Sequence, residues 1–183
     1  MSNIELLIVA IALSMDAFSV SICKGLTLKK ISLKKSFIIA LFFGTFQGLM
    51  PLTGYVLGNS FASFIAFIDH FVAFFLLNII GINMIKDGFK NDNEINDNFH
   101  IKEIIILAIA TSMDALTVGI TFAFLKIDIL YSIVVISIIT FIICFIGVIL
   151  GTLFRSNNSN KATIFGGITL CLLGLKILLE HLF

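Results

Sequence analysis

Two carboxylates stand inside apolar segments and could bind a cation. Asp16 lies in "AIALSMDAFSV", which begins at Ala10, and Asp114 lies in the near-copy "AIATSMDALTV", which begins at Ala108. A charged side chain at the centre of a membrane-spanning helix costs about 2.5–3.5 kcal/mol on insertion scales. Two of them at matched positions therefore indicate a functional site. The competing interpretation is structural: each carboxyl stays protonated and hydrogen-bonds a neighbouring helix.

The chemistry that suits this pair is the binding of a divalent cation. Two ionised carboxylates repel each other unless a cation lies between them, and oxygen ligands favour hard ions such as Mg²⁺, Ca²⁺ and Mn²⁺. The hydroxyls of Ser19, Thr111 and Thr117 lie one turn away on the same helix faces and could complete the coordination, directly or through water. Their alternative is a hydrogen bond to their own backbone, as is common in membrane helices.

Besides Asn83, two further amide side chains are predicted at membrane depth, Gln47 and Asn78. We predict that they support the metal site or line the ion path, or else join helices by hydrogen bonds. Pro51 follows Gln47 by one turn, so the helix that carries both is expected to kink or unwind locally.

The composition predicts an all-α membrane protein. Of 183 residues, 59% are hydrophobic and 13% are charged, whereas a soluble domain carries about 25% charged residues. The formal net charge is +1, and no basic cluster suggests nucleic acid. Residues 1–183 are predicted to form a single transmembrane domain that contacts the lipid bilayer. Its six predicted spans are Ile4–Ile22, Phe37–Leu57, Ile68–Ile85, Ile104–Phe124, Ile129–Phe154 and Ala162–Leu182.

The basic residues predict the orientation of these spans, because Lys and Arg concentrate in cytoplasmic loops. Three alternate connections hold most of them, which puts both termini outside. The residues concerned are Lys24, Lys29, Lys30, Lys34, Lys35, Lys86, Lys90, Lys102, Arg155 and Lys161.

The repeated Asp segment predicts an internal repeat. "GYVLG" from Gly54 resembles "GVILG" from Gly147, and "NIIGINMI" from Asn78 resembles "CLLGLKIL" from Cys171. We therefore predict two three-helix repeats, about 1–88 and about 101–183, joined by a central cytoplasmic loop at about 86–103. Because three spans is an odd number, the repeats must be inverted, an arrangement whose binding sites lie near the midplane.

Four stretches in the same order also resemble the MntP-type manganese efflux pumps of bacteria. They are "ALSMDAFSVSICKGL" from Ala12, "FGTFQGLMPLTGYVLG" from Phe43, "DHFVAFFLLNIIGINMIKDGF" from Asp69 and "ATSMDALTVGI" from Ala110. The resemblance covers nearly the whole chain. It implies export of Mn²⁺, as substrate rather than cofactor, across the bacterial plasma (inner) membrane. It also implies that Asp16 and Asp114 are the metal-site carboxylates.

The residues alone predict a cation transporter, and the resemblance selects manganese. We expect a secondary transporter, since no G-x-x-x-x-G-K-[ST] loop for ATP is present. Proton coupling and other divalent cations are part of this expectation. The sequence has no nucleophile–base pair near the carboxylates that would predict an enzyme. The alternatives are an exporter of a small cationic organic solute, such as a basic amino acid, and a non-transporting envelope or sporulation membrane protein.

Overall fold

Every regular element that the computed structural model describes is an α-helix, which confirms the predicted class. The backbone is described for residues 3–28, 30–89, 99–154 and 159–182, and the side chains within these ranges except 58–70, 72, 73, 87, 159 and 180–182. The predicted central loop therefore lies partly outside the described residues, as do the side chains of Asp69 and His70. The helices are α1 (Asn3–Thr27), α2 (Leu33–Gly88), α3 (Ile101–Thr111), α4 (Met113–Phe124), α5 (Ile129–Phe154) and α6 (Ser159–Leu182).

Helix α2 differs from the sequence prediction, because it runs through the region where two spans were expected. It has 56 residues, with Pro51 inside it. On a straight helix with a rise of about 1.5 Å per residue, Phe43 and Met84 would be about 60 Å apart. Both lie in one buried cluster. The two ends of α2 therefore fold back onto the same bundle, although its helical hydrogen bonding is continuous.

Helices α3 and α4 differ too, because together they replace the single fourth span that the sequence predicts. They meet at Ser112 with a bend of 43°. The backbone N–H of Ser112 bonds to Ile109 O at 3.2 Å. The hydroxyl of Ser112 donates to the same carbonyl at 3.1 Å. Because these groups take up a carbonyl at the end of α3, the bend leaves it satisfied inside the membrane.

Several helices have the length and composition of membrane spans. Within the described residues, four segments qualify: Asn3–Thr27, Leu33–Leu57, Ile129–Phe154 and Asn160–Leu179. The bent pair α3–α4 makes a fifth if it counts as one span. The apolar segment Phe74–Lys86 is shorter. The protein is thus a multi-pass membrane protein, and the sixth crossing, the inverted repeat and the position of the termini stay predictions.

Glycines at close contacts show how the helices run relative to α5. A Cβ on Gly147 would touch Phe18 and Ser21, and one on Gly151 would touch Ile22 and Gly25, so α1 and α5 run in the same direction. A Cβ on Gly44 would touch Ser137 and Phe141, and one on Gly48 would touch Ile133 and Ser137, so α2 and α5 run in opposite directions.

Helix α4 also runs opposite to α5, because the connection between them is a tight turn. Lys126 has a left-handed backbone (φ 52°), and the N–H of Ile127 bonds back to Phe122 O at 3.1 Å. This is the usual way in which an α-helix ends before the chain reverses. Helices α2 and α4 therefore run in the same direction, and α1 runs opposite to both.

Candidate cation-binding site

Asp16 lies in an unbroken, mostly apolar α-helix, in which the backbone N–H and C=O groups form hydrogen bonds with each other. It is half-buried on α1, two residues after the fully buried Ser14. The hydroxyl of Ser14 donates to Ile11 O at 2.7 Å, within the same helix. The carboxylate thus stands on a rigid element, well inside the segment Asn3–Thr27 that is long enough to span a membrane.

Asp114 lies in the first turn of α4, directly after the bend. The N-terminal turn of a helix has free N–H groups and a positive dipole end, which favour a negative charge there. Asp114 is exposed, as are Thr117 and Thr121, which follow it on the same face. These are the polar side chains of α4, and Ala115, Gly119 and Phe122 on the opposite face are buried. The three polar side chains of α4 thus share one exposed face.

Two of the three predicted hydroxyl groups, those of Ser19 and Thr111, bond to backbone carbonyls in their own helices. Ser19 donates to Met15 O at 3.0 Å, and Thr111 donates to Leu107 O at 3.0 Å. The Thr117 carbonyl accepts from Thr121 at 3.2 Å. These bonds match the alternative that the sequence left open. A hydroxyl that donates keeps its lone pairs, so Ser19 and Thr111 retain the capacity to bind a cation.

Gln47 connects α2 to α1 beside Asp16. Its side chain is fully buried, and Nε2 donates to Leu13 O at 2.9 Å. In a helix that carbonyl points towards the residue four positions on, Ala17, next to Asp16. The other amide atom, Gln47 Oε1, is buried and accepts no hydrogen bond within the described residues. A buried acceptor without a partner is uncommon in folded proteins and often marks a site for a water or an ion.

Asn78 lies in a different contact, between α2 and α6. Its Nδ2 donates to Phe74 O within its own helix at 2.9 Å. A Cβ on Gly174 of α6 would lie 2.8 Å from the same nitrogen. The contact with Gly174 places Asn78 against α6, whereas the hydrogen bond of Gln47 joins it to α1.

The structure adds two features that the sequence did not single out. The hydroxyl of Thr140 on α5 is fully buried and has no hydrogen-bond partner among the described residues. Lys24 is also buried, with 1% of its side chain exposed, and its Nζ lies 2.9 Å from Glu103 Oε2. The distribution of basic residues predicts Lys24 in a cytoplasmic loop, beyond the end of the first span, and its burial corrects that prediction. The sequence feature that could have indicated its burial is the next residue, Gly25, because a glycine allows a close contact between helices.

The acidic residues do not form a larger metal centre within the described part of the chain. No three His, Cys, Asp or Glu side chains cluster there. A cation between these helices would therefore depend on two carboxylates together with amide, hydroxyl, backbone or water oxygens. Such a set suits a hard cation that binds and leaves, rather than a tightly held cofactor.

The fold and these residues define a multi-pass helical membrane protein with carboxylates on its membrane-spanning helices. Comparison with known proteins then gives the family. Residues 30–178 match the profile of the Mntp family, described as "Putative manganese efflux pump". The chain belongs to this family.

Curated relatives align over nearly the full chain. The "Putative manganese efflux pump MntP" of Desulfitobacterium hafniense is 51% identical over 182 residues, covering 100% of this chain and 97% of that protein. The protein of the same name from Acetivibrio thermocellus is 51% identical and covers 100% and 93%. The one from Campylobacter jejuni is 51% identical and covers 98% and 97%. No solved structure matches the chain.

Proposed function

We propose that this protein exports Mn²⁺ from the cytoplasm across the plasma membrane of a bacterium, as a secondary transporter whose cargo binds between Asp16 and Asp114. The cargo is supported by membership of the family and by the names of relatives that are 51% identical over the whole chain. The site is supported by the geometry of three helices.

The directions of the helices support similar depths for the two carboxylates in the bundle. A buried cluster joins Leu6 on α1 with Phe122 on α4, and the partly buried Leu13 and Val118 pack against it. Because α1 and α4 run in opposite directions, both helices continue from this cluster towards the same level. Asp16 follows Leu13 by three residues, and Asp114 precedes Val118 by four. Inverted repeats would relate the two positions by a pseudo-two-fold axis near the midplane.

The crossing of α2 and α4 supports the same level for Gln47. A Cβ on Gly119 would overlap the carbonyl of Pro51, so α2 and α4 cross closely there. The two helices run in the same direction, and about one turn before this crossing stand Gln47 on α2 and Asp114 on α4. The bond from Gln47 to Leu13 O fixes the same amide next to Asp16.

The observation that carries the proposal is the side-chain carbonyl oxygen of Gln47, which accepts no hydrogen bond from the residues that the structure describes. It is buried, and an amide oxygen is a ligand that Mn²⁺ accepts together with carboxylates. We assign Gln47 Oε1 as the third protein ligand. Ser19, Thr111 and Thr117 would contribute through water, and Asn78 would act further along the path.

Transport would require the site to open alternately to the two sides of the membrane. The repeats rock around the bound ion, so the site faces the cytoplasm when it loads and the outside when it releases. Protons that bind the carboxylates after the metal leaves would cancel their mutual repulsion on the return step, which makes proton antiport the natural coupling.

The test is Mn²⁺ flux into proteoliposomes for Asp16→Asn and Asp114→Asn, which keep the size of each side chain and remove its charge. We expect flux to fall by at least about 100-fold in each variant, since each would remove a metal ligand. Asp128→Asn is the matched control, because Asp128 is exposed at the start of α5 and caps Tyr131 N at 3.3 Å. Flux that persists in both variants would contradict the site, and flux absent from the unmodified protein would contradict the cargo.

A further inference from the structure

A buried ion pair ties the end of α1 to the beginning of α3. Lys24 Nζ and Glu103 Oε2 are 2.9 Å apart. Both line a cavity of about 970 Å³, on the face that the distribution of lysines predicts to be cytoplasmic. We infer that this pair closes the cytoplasmic mouth of the transporter, and that the cation opens it by taking the Glu103 carboxylate from Lys24. The inference rests on the proposed function for the identity of the cation.

Lys24 is the fixed member of the pair. It is one of the largest side chains that are fully buried. The next residue, Gly25, packs so closely on α5 that a Cβ would lie 2.9 Å from the Cα of Gly151. The hydroxyl of Thr152 also donates to Gly25 O, at 3.2 Å. The end of α1 is therefore held against α5, and Lys24 cannot reach water unless this packing changes.

Glu103 is the member that can change partners. It lies in the first turn of α3, and 22% of its side chain is exposed. The bend at Ser112 separates α3 from α4, so α3 can tilt without displacing α4. A carboxylate at the rim of the cavity can meet an incoming cation while its partner stays buried.

The charges around the cavity explain why the pair would exclude cations. Among the residues that the structure describes, the charged groups that line it are Lys24, Lys86, Lys102 and Glu103. With Glu103 bound to Lys24, Lys86 and Lys102 leave an excess of positive charge, which repels a divalent cation. Such an ion gains a favourable contact here when it replaces Lys24 at Glu103. The neighbouring side chains of Asn83 and His100 offer further ligands on the same cavity.

The repeat gives Glu103 a counterpart. Glu103 precedes Asp114 by eleven residues, and Glu5 precedes Asp16 by eleven. In the unbroken α1, eleven residues make about three helical turns, or about 16 Å, and return to nearly the same face, whereas the bend at Ser112 lies between Glu103 and Asp114. Each repeat thus carries one carboxylate at midplane depth and another near one membrane surface. Glu5 is exposed on α1, and Glu103 is paired with the buried Lys24 on the side predicted to be cytoplasmic.

The test measures access to the cavity without relying on transport. Thr27 lines the cavity, is 5% exposed and is close in size to cysteine. Thr27→Cys therefore serves as a reporter in full-length protein whose Cys23, Cys144 and Cys171 are replaced by alanine. The reporter is labelled in inside-out vesicles with a membrane-impermeant maleimide. Labelling is compared between the parent, Glu103→Gln, and Lys102→Gln as a matched control that removes a neighbouring charge from the same cavity.

We expect Glu103→Gln to be labelled about tenfold faster than the parent without any metal, within the usual range of conformational couplings, and Lys102→Gln to match the parent. Millimolar Mn²⁺ should accelerate labelling of the parent and leave Glu103→Gln unchanged. Equal rates in the parent and Glu103→Gln would overturn the closing role of the pair, whatever the cargo. Faster labelling of Glu103→Gln, with no effect of Mn²⁺ on the parent, would overturn the exchange of partners and point to a failure of the proposed cargo.

Discussion

Replacing Gln47 by Met separates stability from transport. Met has a similar length and no polar amide. The change removes the hydrogen bond from Nε2 to Leu13 O and, at the same time, the buried Oε1 that has no partner among the described residues. The Leu13 carbonyl lies within α1 and keeps its bond to the helix backbone. The variant is therefore left with no new unsatisfied group.

The expected change in stability is a gain. A side-chain hydrogen bond between membrane helices contributes about 0.6 kcal/mol on average. A buried polar atom without a partner costs about 1–3 kcal/mol. The difference favours Gln47→Met by about 0.5–2.5 kcal/mol, which corresponds to a rise in Tm of a few degrees for a chain of this size. Transport should fall by about 10- to 100-fold, because a ligand of the metal is lost.

The assay pairs thermal unfolding of purified protein, without metal, with Mn²⁺ flux in proteoliposomes. Thr140→Val is the matched control. It removes a second buried oxygen that has no partner within the described residues, in a nearly isosteric change, but Thr140 has no place in the proposed site. We expect Thr140→Val to raise Tm and to leave flux unchanged.

A lower Tm together with normal flux in Gln47→Met would refute the reasoning on both counts. Such a result would mean that Gln47 Oε1 is satisfied in the membrane and that the amide only joins helices. A loss of flux in Thr140→Val would instead extend the ion path to α5.

Two further predictions concern packing and the bound ion. Gly119→Ala should lower stability by about 1–3 kcal/mol through overpacking against the Pro51 carbonyl, as measured by Tm. Gly166→Ala should not, because its nearest neighbour is the flexible end of Met84, at 3.0 Å from the added Cβ. Mn²⁺ at about 100 times its Kd should stabilise the protein by about 2.7 kcal/mol, and Asp16→Asn should abolish most of this shift. An equal shift in Asp16→Asn would place the ion elsewhere.

Helix α5 could be predicted from hydropathy alone. The sequence predicted Ile129–Phe154, and α5 has the same bounds. This segment is apolar on all sides, so its helical state and its length follow from burial in lipid. The sequence placed the first span at Ile4–Ile22, but α1 continues to Thr27. A polar residue ended the predicted span there, whereas packing on α5 continues the helix.

The bend in the fourth span could not be predicted from helix breakers, since the segment contains neither Pro nor Gly at that point. The two repeat segments differ there at one position: Leu13 in α1 corresponds to Thr111. The Thr111 hydroxyl bonds to Leu107 O and, at 3.3 Å, to Ala108 O. Helix α1 has no hydroxyl at this position and stays continuous. The signal was therefore present, as a second hydroxyl before the Asp, but its effect depends on the surrounding packing.

The buried ion pair of Lys24 and Glu103 could not be predicted from the assignment of spans and loops. Hydropathy predicts that a lysine after an apolar run is exposed to water. Here the close approach of Gly25 to Gly151 buries Lys24 inside the protein. The residues of the candidate site fared differently. Gln47 was found because an amide within an apolar run is rare, although its contact with Leu13 required the fold.

The bend at Ser112 has a consequence for the cost of motion. In hydrocarbon, each backbone carbonyl that loses its partner raises the free energy by several kcal/mol, so an ordinary helix resists bending. Here hydroxyls of Thr111 and Ser112 already donate to the carbonyls of Leu107, Ala108 and Ile109. Bent and straight forms of this segment therefore differ little in hydrogen-bond count. It can act as a nearly isoenergetic hinge two residues from Asp114, which moves a charge within the membrane without unfolding the helix that carries it.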